Sequence, residues 1–376
     1  MELFMELKRN NDIDWLRVLA MLMIFLFHCA RFFDDDGWHV KNNQLNVGMS
    51  VLVNFVAQWI MPLFFILSGK STYFSLTFRK GGQYLQERFK RLVIPLVFGI
   101  VVHIPLQVYI ERVSQAQFVG SFIEFYPHYF DGFYGFGGNF AWMGLHLWYL
   151  EMLFIFSLMT LPLFIYLRKQ HRFTSRVAVF FNQPGAIFLL AVPIALMELL
   201  VNLQPDGIGR RDFGGWSLAV YIIFFIYGYL ITIDLNFKQT IEKHRIIALA
   251  MGVIASTIGY FLVEAGVSSR EYYFAFLRGF NSWFWLVAIL GFGGKYLNFS
   301  NRVLRYANEA VLPFYVLHQT IIVTIGFYIA SWNASVLVKY LIISTASFAA
   351  IMVLYNLAIK RINLLRLLFG LKQLTK

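Results

Sequence analysis

The chain is short of charge. Asp, Glu, Lys and Arg make up only 14% of its 376 residues, against roughly one quarter in soluble globular domains. That deficit argues against a soluble domain and for an integral membrane protein. Cysteine is nearly absent, Cys29 being the only one, which excludes an internal disulfide framework. No His-Glu-x-x-His motif and no Cys/His spacing for zinc occurs, so no metal site is expected. Asp34-Asp35-Asp36 lacks the spacing of a calcium loop and reads as a solvated loop. No Ser lies in a Gly-x-Ser-x-Gly elbow. Gly69-Lys70-Ser71 looks like the end of a phosphate-binding loop, but Phe64 stands where its first Gly is needed and no strand pattern precedes it. Nucleotide hydrolysis is therefore excluded.

Apolar residues fill the space that charge leaves. They make up 59% of the chain, with 41 Phe, 20 Tyr and 9 Trp, and mean hydropathy is +0.62. A membrane-spanning helix needs about 20 apolar residues. Runs of that order lie at about 15–33, 47–69, 92–110, 145–167, 185–203, 216–233, 246–264, 281–297, 308–331 and 337–359. Gly291, Gly293 and Gly294 make the eighth the weakest, and Ser68-Gly69 reads as the end of the second helix. Phe27-His28 lacks the small residues of a cleavage site, so the first run is expected to be a retained helix rather than a removed signal. With the N-terminus inside, 23 of the 32 Lys and Arg fall in inner segments and 8 in outer ones, while Arg17 lies within the first run. This bias predicts an all-α bundle of about ten transmembrane helices with both termini cytoplasmic. The net charge of +12 is then a topology signal, and no nucleic-acid partner is expected. No linker or composition break divides the chain, so residues 1–376 are expected to form a single membrane domain.

Arg17 and His28 share the first run. Eleven residues are close to three helical turns, which puts both on one face about 16 Å apart along the axis. Ionisable groups inside a span are costly and usually face a polar interior or a substrate path. Glu151 falls at a depth matching that of His28 and is a candidate carboxylate to fix its tautomer. His318 follows Pro313 in the ninth run and could face the same cavity, whereas His103 and His146 read as structural. Arg88 and Arg91, at i and i+3 before the third run, could join Arg17 in holding phosphates, or could anchor to anionic lipid. Two long loops, 34–46 and 111–144, are expected outside. The second alternates rings such as Tyr129, Phe133 and Trp142 with glycines. It suits either an interfacial aromatic belt or the docking of sugar faces, with His128, Asp131 and Asn139 as hydrogen-bonding groups.

A cationic cluster at one surface and a base deep in the membrane would suit a donor with a phosphorylated head and a long arm, the shape of acyl-coenzyme A. The residues also resemble a known family. Asp14-Trp15-Leu16-Arg17-Val18-Leu19-Ala20 followed by His28 is similar to the Arg-x10-His signature of the acyltransferase-3 family of bacterial membrane glycan acyltransferases. Four further stretches resemble that family in its order: Leu63 to Gly69, Arg88-Phe89-Lys90-Arg91 with Pro95, His146-Leu147-Trp148-Tyr149-Leu150-Glu151, and Leu312 to His318. The layout is similar to its glucan biosynthesis protein C-like subgroup.

This resemblance covers nearly the whole chain. It implies a multi-pass protein of the bacterial inner membrane that moves an acetyl or succinyl group from cytoplasmic acyl-CoA to a hydroxyl of an extracytoplasmic polysaccharide or oligosaccharide. His28 would be base or acyl relay, with Glu151 beside it. Arg17, Arg88 and Arg91 would meet the acyl-CoA, while Trp148, His146 and His318 would line the acceptor cavity. Acyl-CoA is a donor substrate, and no bound cofactor is expected. Membrane lipid is a partner, and a homodimer is compatible with the sequence. The rival expectation is a transporter using intramembrane His and Glu as a proton relay, although the two repeated halves common in transporters are not evident.

Overall fold

The computed structural model describes residues 11–204, 210–211, 214–268 and 271–374, except for the side chains of 171–173. Lys8, Arg9, Arg270 and Lys376, counted in the charge census above, lie outside the described residues, as does the side chain of Arg172.

The described chain is helical, and a single β-bridge pairs Phe133 with Phe140. The helices are α1 (Asn11–Ala30), α2 (Val47–Ala57), α3 (Ile60–Phe78), α4 (Gly81–Arg88), α5 (Ile94–Val102), α6 (Ile104–Ser114), α7 (Phe122–His128) and α8 (Trp148–Lys169). They continue as α9 (His171–Phe181), α10 (Ala191–Leu203), α11 (Leu218–Leu230), α12 (Leu235–Glu264), α13 (Tyr272–Tyr296), α14 (Arg302–Ala330), α15 (Val336–Leu354) and α16 (Asn363–Leu368). Among the described residues nine helical stretches are long and apolar enough to cross a membrane. The sixth expected span contains α11, a shorter apolar helix of 13 residues.

The helices cluster in two compact units, neither of them contiguous in sequence. One takes the residues up to Ala20, Ala57–Tyr84 and Leu158–Arg305, and the other takes Met21–Val56, Leu85–Ser157 and Tyr306–Lys376.

In the first unit glycine sets the packing. Gly69 does not end its helix: α3 runs on to Phe78. A Cβ at Gly69 would collide with Phe225 O and Gly228 Cα of α11, and one at Gly228 would collide with Ile66 O of α3. The two backbones cross in contact there. Without a hydrophobic driving force between helices in lipid, such close approach of small residues is a main source of attraction. The glycines expected to weaken the eighth span behave the same way. Helix α13 is continuous through all three. Gly279 sits against the Ala195 backbone of α10, Gly291 against Ile241 O of α12 and Gly293 against the Leu16 side chain of α1. Helix α12 faces outward with Ile247, Ile254 and Phe261.

In the second unit Phe25 of α1 packs on Phe314 of α14 and Phe348 of α15, with centroids 5.3 and 6.2 Å away. Gly326 of α14 gives room to the Phe32 ring. Asp34 is fully buried rather than solvated, because Arg31 one turn upstream and Lys41 both pair with it. Burial pushes its carboxyl above the usual carboxylate range, opposed by those two cations. Asp35 and Asp36 remain exposed.

Substituting Gly69 or Gly228 with leucine should lower the stability of the detergent-purified protein by about 3 kcal/mol, because the backbones cannot part without losing the contact. Thermal unfolding measures this. Gly82→Ala, where a Cβ meets nothing within 4 Å, is the near-neutral control.

Candidate active site

Helix α1 carries both Arg17 and His28 without a break. Arg17 is held in its own unit, where Nη1 pairs with Asp14 Oδ1 at 3.1 Å and Nη2 donates to Ser71 Oγ at 2.7 Å. Three further histidines gather with His28 in the second unit. The ring of His318 on α14 is 5.1 Å from that of His28, His146 is 5.0 Å from His318, and His103 is 6.3 Å from His146.

Local sequence explains how they arrive. Pro105, near the start of α6, lacks the N–H that would bond Val101 O, and the helix breaks at His103. Tyr126 OH donates to the freed Val101 O at 3.0 Å, and Tyr129 OH donates to Ile100 O at 2.9 Å. The 111–144 segment thus contributes a helix, α7, stitched into that break and capped by Ser121 and Glu124. His146 stands in a 3-10 turn directly after Gly144, whose φ of 72° suits glycine.

Carbonyl acceptors fix two tautomers. His318 Nδ1 faces Tyr315 O at 2.6 Å, and since a carbonyl only accepts, Nδ1 carries the proton. His318 Nε2 is then a bare lone pair, buried and without a partner. His146 Nε2 donates to Val316 O at 3.2 Å, which leaves Nδ1 as the acceptor facing Gln107 Nε2 at 3.4 Å. His28 is half-buried, and its Nδ1 is buried with no hydrogen-bond partner among the described residues.

A buried carboxylate does pair with a histidine in this unit, but the pair is Glu111 and His39. No hydrogen bond joins Glu151 to His28, and Glu151 Oε2 has no hydrogen-bond partner among the described residues. Glu111 also accepts from Tyr134 OH and, at 2.9 Å, from Arg112 Nη1. Polar side chains lead on from His39. Gln319 Nε2 donates to His39 Nε2 at 3.0 Å and to Gln107 Oε1 at 3.2 Å. Gln107 Nε2 donates to Thr320 Oγ1 at 2.6 Å, and Thr320 Oγ1 is 2.8 Å from His103 Nδ1. Beside His39, Trp38 lies nearly parallel to His28, with an interplanar angle of 13° and centroids 6.1 Å apart.

His39, Glu111, Gln107, Gln319 and Trp38 escaped the sequence reading. His103, Gln107 and Glu111 do form an i, i+4, i+8 polar stripe, a signal that could have exposed three members of the network. Trp148 is buried at the start of α8. Arg88 ends α4, and Arg91 lies in a five-residue π turn, Phe89–Val93, so their spacing runs through a widened turn. His128, Asp131 and Asn139 bond one another, with Asn139 also tied to Arg112.

Such a cluster offers proton-accepting imidazole nitrogens in an apolar surrounding, as general-base or nucleophilic chemistry requires. A family model described as an acyltransferase domain matches residues 10–356. The chain belongs to the acyltransferase-3 family. It is a multi-pass membrane acyltransferase. The chain is 24% identical over 385 residues to the glucans biosynthesis protein C of Salmonella heidelberg and to that of Salmonella typhi, covering 96% of this chain and 94% of each relative. No solved structure matches this acyltransferase.

Glu111→Ala should destabilise the acyltransferase by about 3 kcal/mol, because it leaves a buried histidine and a half-buried arginine without their carboxylate. Tyr129→Phe, which removes one buried hydrogen bond, should cost about 1–2 kcal/mol. Thermal unfolding of the purified variants checks both values and their order.

Proposed function

We propose that this enzyme moves an acyl group, acetyl or succinyl, from acyl-CoA to a hydroxyl of an extracytoplasmic glycan. The observation that carries the reading is His28: an intramembrane imidazole, half-buried, with an unpartnered Nδ1 and a bare His318 nitrogen nearby. The name of the relatives, glucans biosynthesis protein C, supports a glycan acceptor. In direct transfer His28 takes the proton of the acceptor hydroxyl as its oxygen attacks the thioester carbonyl. The carbon–sulfur bond breaks, and the thiolate leaves with that proton as free CoA thiol. In the alternative route the imidazole itself carries the acyl group between the two substrates.

Arg17, Arg88 and Arg91 are assigned to the donor's phosphates, since guanidinium binds phosphate oxygens bidentately. The aromatic segment with Tyr126, Phe133 and Trp142 is assigned to the acceptor side. Glu151, with an orphaned oxygen, is assigned to the cavity wall rather than to His28. The topology that goes with this reading has ten spans, both termini cytoplasmic, and the bacterial inner membrane as its home. Its charge bias is its support.

Purified enzyme supplied with labelled acetyl-CoA or succinyl-CoA and a crude cell-envelope glucan should transfer label, and His28→Ala should reduce kcat by about 10²-fold or more. Normal transfer by His28→Ala would refute the assignment. Arg88→Ala and Arg91→Ala should instead raise KM for the acyl-CoA while leaving kcat nearly unchanged.

A further inference from the structure

Among the described residues three ring nitrogens of the second unit are buried without a hydrogen-bond partner, His28 Nδ1, His318 Nε2 and His103 Nε2, and the first two face one another's rings. Buried polar atoms without partners are rare in native structures, and each calls for a reason. His28 Nδ1 and His318 Nε2 belong to rings only 5.1 Å apart, tilted by 45°. Their needs are complementary. The Tyr315 carbonyl holds the proton of His318 on Nδ1, which makes Nε2 an obligate acceptor in the neutral ring. His28 Nδ1 has no carbonyl or carboxylate to claim it.

We infer that His318 is the positioning residue for His28: its Nε2 accepts the Nδ1 proton of His28, fixing the tautomer in which His28 Nε2 is the reactive nitrogen. The bond calls for a turn of the His28 ring about χ2, a torsion that is soft for histidine. Catalytic hydrogen bonds often tighten only when substrate is bound. The arrangement performs the orienting task of the carboxylate in a Ser-His-Asp triad with a neutral acceptor. A neutral acceptor adds no charge in lipid, where a second buried ion would be costly.

Other groups around His28 do not compete for the role. Trp38 covers it with a nearly parallel ring and Phe27 meets it edge-on. His39 is engaged by Glu111 and Gln319, and Arg31 by Asp34, Asp36 and Gly37 O. His146 meets His318 edge to face, at 90°, with its own Nε2 committed to Val316 O.

The proton path closes without another base. His28 Nε2 takes the acceptor proton while Nδ1–H stays bonded to His318. Nε2 then returns the proton to the departing thiolate, and the products are the ester and CoA thiol. This inference rests on the reading of His28 as the reactive group.

Its test separates the two ideas. His318→Phe should lower kcat by about 10²-fold and leave KM for acetyl-CoA within about threefold, because the effect is on chemistry and not on donor binding. His318→Gln places an amide oxygen where it can accept from His28 and should recover most of the lost rate. Nitrogen-15 NMR of ring-labelled histidine in the membrane-reconstituted enzyme, with the His28 signals identified by their loss in His28→Ala, should show protonated Nδ1 and bare Nε2. His318→Phe should convert that pattern to a tautomer mixture. Unchanged kcat in His318→Phe, a His28 pattern with the proton on Nε2, or a His318→Gln variant no better than His318→Phe would each overturn the inference. None of these touches the role of His28, which fails only if His28→Ala remains active.

Discussion

A polar atom withdrawn from water into lipid must be met by another polar atom of the protein, and this constraint organises the second unit. Pro105 leaves a carbonyl bare, and a tyrosine hydroxyl from α7 finds it. Lys339, buried at the start of α15, donates to Asn42 Oδ1 and to Ala330 O. Glu111 gathers a histidine, an arginine and a tyrosine around one carboxylate. Against that thoroughness, the few unmatched atoms stand out, and several of them belong to the histidine cluster.

The same constraint explains which parts of the molecule were legible beforehand. Every expected apolar run corresponds to helix in the structure, because a chain in lipid has little choice but to satisfy its backbone within each segment. Glycine was misjudged for the same physical reason. In water a glycine late in a helix reads as a stop, as Gly69 does in the sequence, and several glycines together weaken a span, as Gly291, Gly293 and Gly294 do. In lipid the helix is already secured, and the missing side chain serves the approach of a neighbour.

The site was half legible. His28 and His318 are strange enough in apolar runs to declare themselves, and the Arg-x10-His spacing points to the family that the comparison establishes. Their partners are another matter. A loop leaving α1 turns back and inserts Trp38 and His39 against helices far away in sequence, and no local periodicity records that return. Matching depth suggested Glu151 for His28. Depth alone leaves open which face of each helix turns inward, and the buried carboxylate that meets a histidine lies two turns beyond His103, on the far side of a proline break.

The crossing of α3 and α11 has a mechanical meaning. Two helices separated by side chains can slide, because rotamers absorb small shifts. At Gly69 and Gly228 there are no side chains between the backbones, only main chain against main chain. Translation along either helix would drive a carbonyl into a flanking Cβ, and rotation about the point of contact would have to part the ring pairs on either side of it, Phe65 with Tyr221 and Tyr73 with Tyr229. The crossing is therefore a lock. Whatever movement the first unit makes during turnover, α3 and α11 travel as one piece.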